Sequence, residues 1–121
     1  MMTLAFEAKF VSCSDAMDGE ILQVCFDTVS KSQEEDERNT PCILISRNFE
    51  FPGPATIEWH DGCDYHGGAE IVSVTVRRDR ISIKLDRELD INVDFRLADK
   101  KFVKLSSFLR RITDDRVCFA D

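Results

Sequence analysis

Hydrophobic and polar positions alternate along much of this chain, most cleanly between residues 69 and 97. Within 69–78, Ile71 is followed by Val72, Val74 and Val76, with Ser73, Thr75 and Arg77 alternating. Within 80–86, Ile81, Ile83 and Leu85 alternate with Ser82, Lys84 and Asp86. Within 90–97, Ile91, Val93, Phe95 and Leu97 alternate with Asn92, Asp94 and Arg96. A period of two marks a half-buried strand. Turns at Arg78-Asp79 and Arg87-Glu88 separate the runs. Together they predict an antiparallel meander with one aliphatic and one wet face.

The first half is less regular. Residues 3–12 read as a strand with Leu4, Phe6, Ala8 and Phe10 on one face. A turn with Asp18-Gly19 at its tip leads to a second strand over 20–29, with Leu22, Val24 and Phe26 on its apolar face. Residues 30–39 hold no apolar side chain and predict a solvated loop. Two further strands are expected, at 42–47 and about 55–60, separated by Pro52-Gly53-Pro54, which suits neither helix nor central strand. Ile57 and Trp59 share one face of the later strand; Thr56, Glu58 and His60 share the other. Residues 61–68 then read as a loop.

At Asp99 the period changes. Phe102, Leu105, Leu109 and Ile112 recur at three- and four-residue steps, which predicts an amphipathic helix over 100–113 with Asp99 as its N-cap. Basic residues gather toward its C-terminal end, where they complement the dipole. The tail RVCFA adds a short strand. The expected fold is α+β and a single domain over 1–121. It is a mostly antiparallel sheet of six to seven strands, with the C-terminal helix packed on its apolar face.

Charge sharpens this picture. The net charge is −7. Residues 1–60 carry eleven acidic and four basic side chains, and residues 61–121 carry twelve of each. The whole imbalance thus lies in the first half. It argues against non-specific nucleic-acid binding, which needs cations against phosphate. It suits a basic partner, whose approach an acidic field accelerates. No signal peptide and no membrane span are expected. The five cysteines form no C-x-x-C pair, so reduced thiols in a cytoplasm are the simplest account.

Candidate chemistry is concentrated in residues 57–70, IEWHDGCDYHGGAE. His60, Cys63 and His66 are spaced H-x2-C-x2-H, with Asp61 and Asp64 between them, and all are competent zinc ligands. Structural zinc sites usually need a second pair of ligands, and the chain offers none. Cys63 with either histidine is a conceivable thiolate–imidazole pair, but no oxyanion device accompanies it. Glu58, Asp61 and Glu70 are candidates for acid–base work, with no pocket signal beside them. No phosphate-binding glycine motif is present. The expectation is therefore no enzyme, no metal and no cofactor. A small metal-binding or hydrolytic protein using the His60–Cys63–His66 loop is one alternative. A homodimeric interaction domain is another. Trp59 reads as core, Gly67 and Gly68 as a structural hinge, and Tyr65 as a contact residue.

The order of motifs over residues 40–113 resembles the immunity protein 10 family of bacterial polymorphic toxin systems. The motifs are CILISR, then Ile-Glu-Trp-x-Asp, then Gly-Gly-Ala-Glu-Ile, then V-x-V-x-R-x-R-I-x-I-x-L-D, then I-x-V-x-F-x-L and a last helix. Arg47, Glu58, Asp61, Gly67 and Gly68 fall on matching positions, and Trp59 and His60 on a variable pair. The loop DGCDYH departs from the Asp-Gln of that pattern, and the first 39 residues carry no matching motif. The resemblance implies a cytoplasmic immunity protein. Such a protein neutralises a cognate toxin, such as a nuclease, by occlusion and without catalysis. An acidic inhibitor can occupy the basic cleft of such a toxin, and on that ground the expected partner-binding residues are Glu58, Asp61, Asp64 and Tyr65, with the acidic loop Glu34, Glu35, Asp36 and Glu37.

Overall fold

A computed structural model describes residues 2–28, 40–51, 53–86, 88–114 and 117–119. Their order is β1 (Met2–Glu7), β2 (Phe10–Ala16), β3 (Ile21–Asp27), β4 (Cys42–Asn48), β5 (Thr56–His60), β6 (Tyr65–Ala69), β7 (Ile71–Val76), β8 (Arg80–Leu85), β9 (Leu89–Asp94), α1 (Asp99–Ile112) and β10 (Val117–Phe119). The α+β class and the C-terminal helix are as expected. The sheet is not. The described residues form ten strands in two five-stranded sheets, ordered β1-β9-β8-β7-β10 and β2-β3-β4-β5-β6.

Two direct strand continuations account for the difference. The run 3–12 is not one strand, because it changes sheets at Ala8-Lys9. The Ala8 amide donates to the Asp94 carbonyl at 2.8 Å, and the Lys9 amide donates to the Asp27 carbonyl at 2.9 Å. One amide thus belongs to the β9 side and the next to the β3 side. The switch also shifts the phase. Phe10, placed by alternation with Leu4 and Phe6, is 46% exposed, and Val11 takes the inner face.

The second continuation joins β6 to β7 through Glu70. Its carbonyl accepts the Asp86 amide, and its own amide donates to Asp86 Oδ1, both at 3.0 Å. Residues 65–68, expected as loop, belong with Ala69 to strand β6, paired antiparallel with β5. Glycines and polar side chains disguised them, since backbone pairing needs no apolar residue.

The meander of β7, β8 and β9 is as expected, with one exception. A bulge between Ile71 and Ser73 inserts Val72 as an extra residue and leaves it 65% exposed. β1 adds to β9 in parallel, and β10 adds in parallel to β7, Val117 lying beside Val74.

Leu22, Val24, Phe26, Ile43 and Ile45 from one sheet meet Ile81, Ile83, Ile91 and Val93 from the other in a single core. Helix α1 contributes Leu105, Leu109 and Ile112, each fully buried. Its backbone lies closest to β3 and β2, not to the meander. Its buried stripe puts it on the inner side of that sheet. Asp99 is not the N-cap. Ala98 holds that position without a side-chain bond, and Asp99 Oδ1 instead accepts from Arg78 Nη2 at 2.7 Å. No helix among the described residues is long and apolar enough to cross a membrane.

Candidate functional site

The hairpin of β5 and β6 carries most of the chemistry picked out in the sequence. Its turn is held by one carboxylate. Asp61 Oδ1 accepts the amides of Cys63 and Asp64, both at 2.8 Å, and the Asp61 amide donates to the Asp64 carbonyl. Asp61 Oδ2 lies 2.8 Å from His66 Nε2. The amides of Asp64 and Cys63, then the His66 contact, hold this carboxyl well below the usual carboxylate range. Gly62, at φ 101°, donates its amide to His60 Nδ1 at 3.0 Å. Each feature follows from short polar residues that bond their own backbone.

A depressed carboxyl stabilises the fold above its unfolded pKa, and that gain is lost as pH falls toward its folded value. Asp61→Asn should therefore be less stable than wild type at neutral pH. The gap should narrow as pH drops below about 4. Thermal melts across pH will check this, and a gap independent of pH would refute the role given to Asp61.

Strand register sorts the hairpin side chains by face, because directly paired residues point the same way. Trp59 pairs with His66 on the inner face; their rings stack at 5.3 Å with 21° between planes. Trp59 is core, as expected, at 5% exposure. His60 pairs with Tyr65, and Glu58 pairs with Gly67, on the outer face. The Tyr65 hydroxyl donates to Glu58 Oε2. That bond pushes the phenol up to about 12. It also fixes two expected contact residues in one arrangement.

The glycine pair divides its work. Gly68 is the extra residue of a bulge opposite Ile57 and Glu58, at φ 78°. That conformation favours glycine. Gly67 has no such need, since a Cβ there would meet Glu58 Cγ at an ordinary 3.6 Å.

The same register runs across the whole sheet. One outer row reads Phe10, Asp27, Cys42, His60, Tyr65. The next reads Ser12, Cys25, Leu44, Glu58, Gly67. Neither row holds a lysine or arginine. Both mix acidic side chains with half-exposed or exposed apolar ones. Asp61 and Asp64 lie at the hairpin tip beside them. Reading the sequence alone missed Phe10, Asp27 and Leu44 as members of this face. Their signal is register, which one strand's alternation does not contain. The expectation for Glu34, Glu35, Asp36 and Glu37 lies outside the described residues.

The outer face of the other sheet differs. Arg80 pairs with Asp94 at 2.5 Å, and Ser82 Oγ lies 2.8 Å from Asn92 Oδ1. Lys84 sits opposite Asp90. Its charges alternate in sign, and its polar groups bond one another.

The residues of the alternative chemistry go elsewhere. His60 Nδ1 faces Gly62, His66 faces Asp61, and the Cys63 side chain is exposed. Among the described residues no three His, Cys, Asp or Glu side chains are arranged to hold a metal ion. The three carboxylates have separate settings: Glu58 with Tyr65, Asp61 with its turn, and Glu70 at the sheet switch. Arg47 points inward, in line with Leu22. Its Nη1 donates to the Ile112 carbonyl at 3.1 Å and lies 2.6 Å from Asp114 Oδ2. It tethers the end of α1.

No protein-family model matches the chain, and neither a curated protein nor a solved structure does.

Proposed function

We propose that this protein is a non-catalytic binding module of the immunity type. In this reading the outer face of the β2–β6 sheet docks on a basic surface of a cognate toxin and occludes it. The observation that carries the reading is the contrast between the two outer faces. One pairs its charges and suits solvent. The other holds Asp27, Glu58, Tyr65 and Leu44 without a cation among them. Interfaces favour aromatic anchors ringed by polar groups, and complementary charge raises the rate of encounter. A nuclease, whose cleft is basic because it holds phosphate, is the partner class that fits best. The Tyr65–Glu58 bond orders the anchor before binding, which lowers the entropy lost on association. The mechanism needs no cofactor and no bond-making step.

The test is neutralisation of a toxin encoded beside this chain. The wild type should form a complex and block the toxin's activity, with an on-rate that falls as salt rises. Tyr65→Ala should weaken binding by about 2 kcal/mol, roughly thirty-fold in Kd. Lys84→Glu, on the other sheet's face, should leave Kd unchanged. Equal losses in both variants, or no neutralisation of any neighbouring toxin, would overturn the proposal.

A further inference from the structure

The outward face of α1 carries cations that no ion pair among the described residues accounts for. Lys100, Lys101, Lys104, Arg110 and Arg111 are all exposed, in a chain of net charge −7. At 100° per residue, Lys100, Lys104 and Arg111 fall within an arc of about 40°, along roughly 16 Å of helix. The helix's one carboxylate, Asp99, is already paired with Arg78. Among the described residues none of the five cations takes part in an ion pair. Lys104 and Arg110 lie over the rings of Phe108 and Phe119 at 5.7 and 4.3 Å. Val103, 67% exposed, sits among them.

This surface has a counterpart on the same molecule that it does not reach. The helix lies on the inner side of β2 and β3, opposite the outer rows containing Asp27 and Glu58, and of its cations Arg111 turns back to the β2–β3 turn, its Nη2 3.8 Å from where a Cβ on Gly19 would stand. The two charges are therefore separated to opposite sides. We infer that the basic face of α1 docks on the acidic outer face of the β2–β6 sheet of a second copy of this chain. The match is chemical on both counts. Cations meet carboxylates, and Val103 meets the apolar ground around Leu44 and Tyr65.

The two patches differ, so the contact is heterologous and adds copies head to tail. The net charges of two copies repel at long range, but at physiological salt the screening length is about 8 Å, and contacts dominate. A nucleic acid fits less well, since it meets the full acidic field with only one helix-wide stripe to hold it. The inference shares the sheet face of the proposed function but not its toxin partner. Self-association would keep that face covered until the partner displaces the second copy.

Sedimentation velocity over a concentration series is the test. At physiological ionic strength the wild-type mass should rise with concentration, and in about 1 M salt it should return to the monomer. Lys100→Glu/Lys104→Glu/Arg111→Glu should be monomeric alone, as should Asp27→Lys/Glu58→Lys. Mixed, the two should associate again, because each keeps the surface the other lacks. The helix variant should bind the toxin at least as tightly as wild type does, since no second copy covers its sheet face, which separates this inference from the functional one. Its substitutions are at exposed positions, and unchanged Trp59 fluorescence will confirm that it folds. A wild type monomeric throughout, or association unaffected by either variant, would overturn the inference. So would a monomeric wild type whose helix holds single-stranded RNA and whose helix variant does not.

Discussion

Phe26→Ala should lower stability by about 3–5 kcal/mol, the largest loss expected from any single substitution here. Phe26 has no exposed surface and lies in the inner row Val11, Phe26, Ile43, Trp59. Its ring meets that of Phe95 at 6.0 Å, and Phe95 meets Phe102 of α1 at 6.4 Å. A chain of three rings thus runs from the β2–β6 sheet through the end of the meander to the helix, with Phe26 at its sheet end. Removing Phe26 leaves a cavity bounded by three elements that cannot all close on it. Domains of this size have only about 5–15 kcal/mol in total, so the variant should sit near its unfolding threshold. Phe10→Ala is the informative control. Alternation assigns Phe10 to the core with Leu4 and Phe6, yet the sheet switch at Ala8-Lys9 turns it outward. Its loss should cost under about 1 kcal/mol. Urea unfolding followed by the single tryptophan will rank the two. Equal costs would contradict the described switch between sheets.

That comparison also marks where the sequence was legible. The meander could be read because Ile81, Ile83 and Leu85 each have a polar neighbour on either side, and both sheet faces have opposite solvation. The helix could be read because Leu105, Leu109 and Ile112 keep its period. Alternation says which face is buried, but not in which sheet. A strand that passes from one sheet to another keeps its pattern and changes its neighbours. So β1 and β2 merged into one run, and two sheets were read as one. The bulge at Val72 hid for a related reason, since one inserted residue reverses the facing that a strict period implies. At the candidate site, Trp59, Glu58 and Tyr65 were visible as residue types. The rows that join Tyr65 to Phe10 across five strands were not, because they depend on four registers at once.

The hairpin also explains why chemistry-bearing residues crowd together in residues 57–70. Polar side chains are dense there because the hairpin satisfies its own backbone with them. His60 and Asp61 take up three amides of the turn between them. His66 stacks on the ring of Trp59 and bonds Asp61. Glu58, Cys63, Asp64, Tyr65 and Glu70 are turned to solvent on that frame.

Arg47→Met should cost about 2 kcal/mol, and the reason is the end of the helix rather than the ion pair. The last carbonyls of a helix lack partners within it, and a cation there also meets the negative end of the dipole. Arg47 Nη1 donates to the Ile112 carbonyl from a side chain only 17% exposed, and a charged donor in such a setting contributes about 1.5–3 kcal/mol. Its Nε is buried without a partner, which offsets part of that gain. Asp114, by contrast, is 61% exposed, so its pairing with Arg47 is screened and contributes under about 1 kcal/mol. Asp114→Asn should accordingly be nearly neutral, and methionine at 47 keeps the apolar stem while removing the donor and the cation that lies over the Phe49 ring at 4.8 Å. Amide exchange gives the sharper readout. In Arg47→Met the amides of the last turn of α1 should lose protection first, with those of β8 and β9 unchanged. If Asp114→Asn costs as much as Arg47→Met, the ion pair is the tether. If exchange quickens evenly through both sheets, Arg47 supports the core as a whole and not the end of the helix.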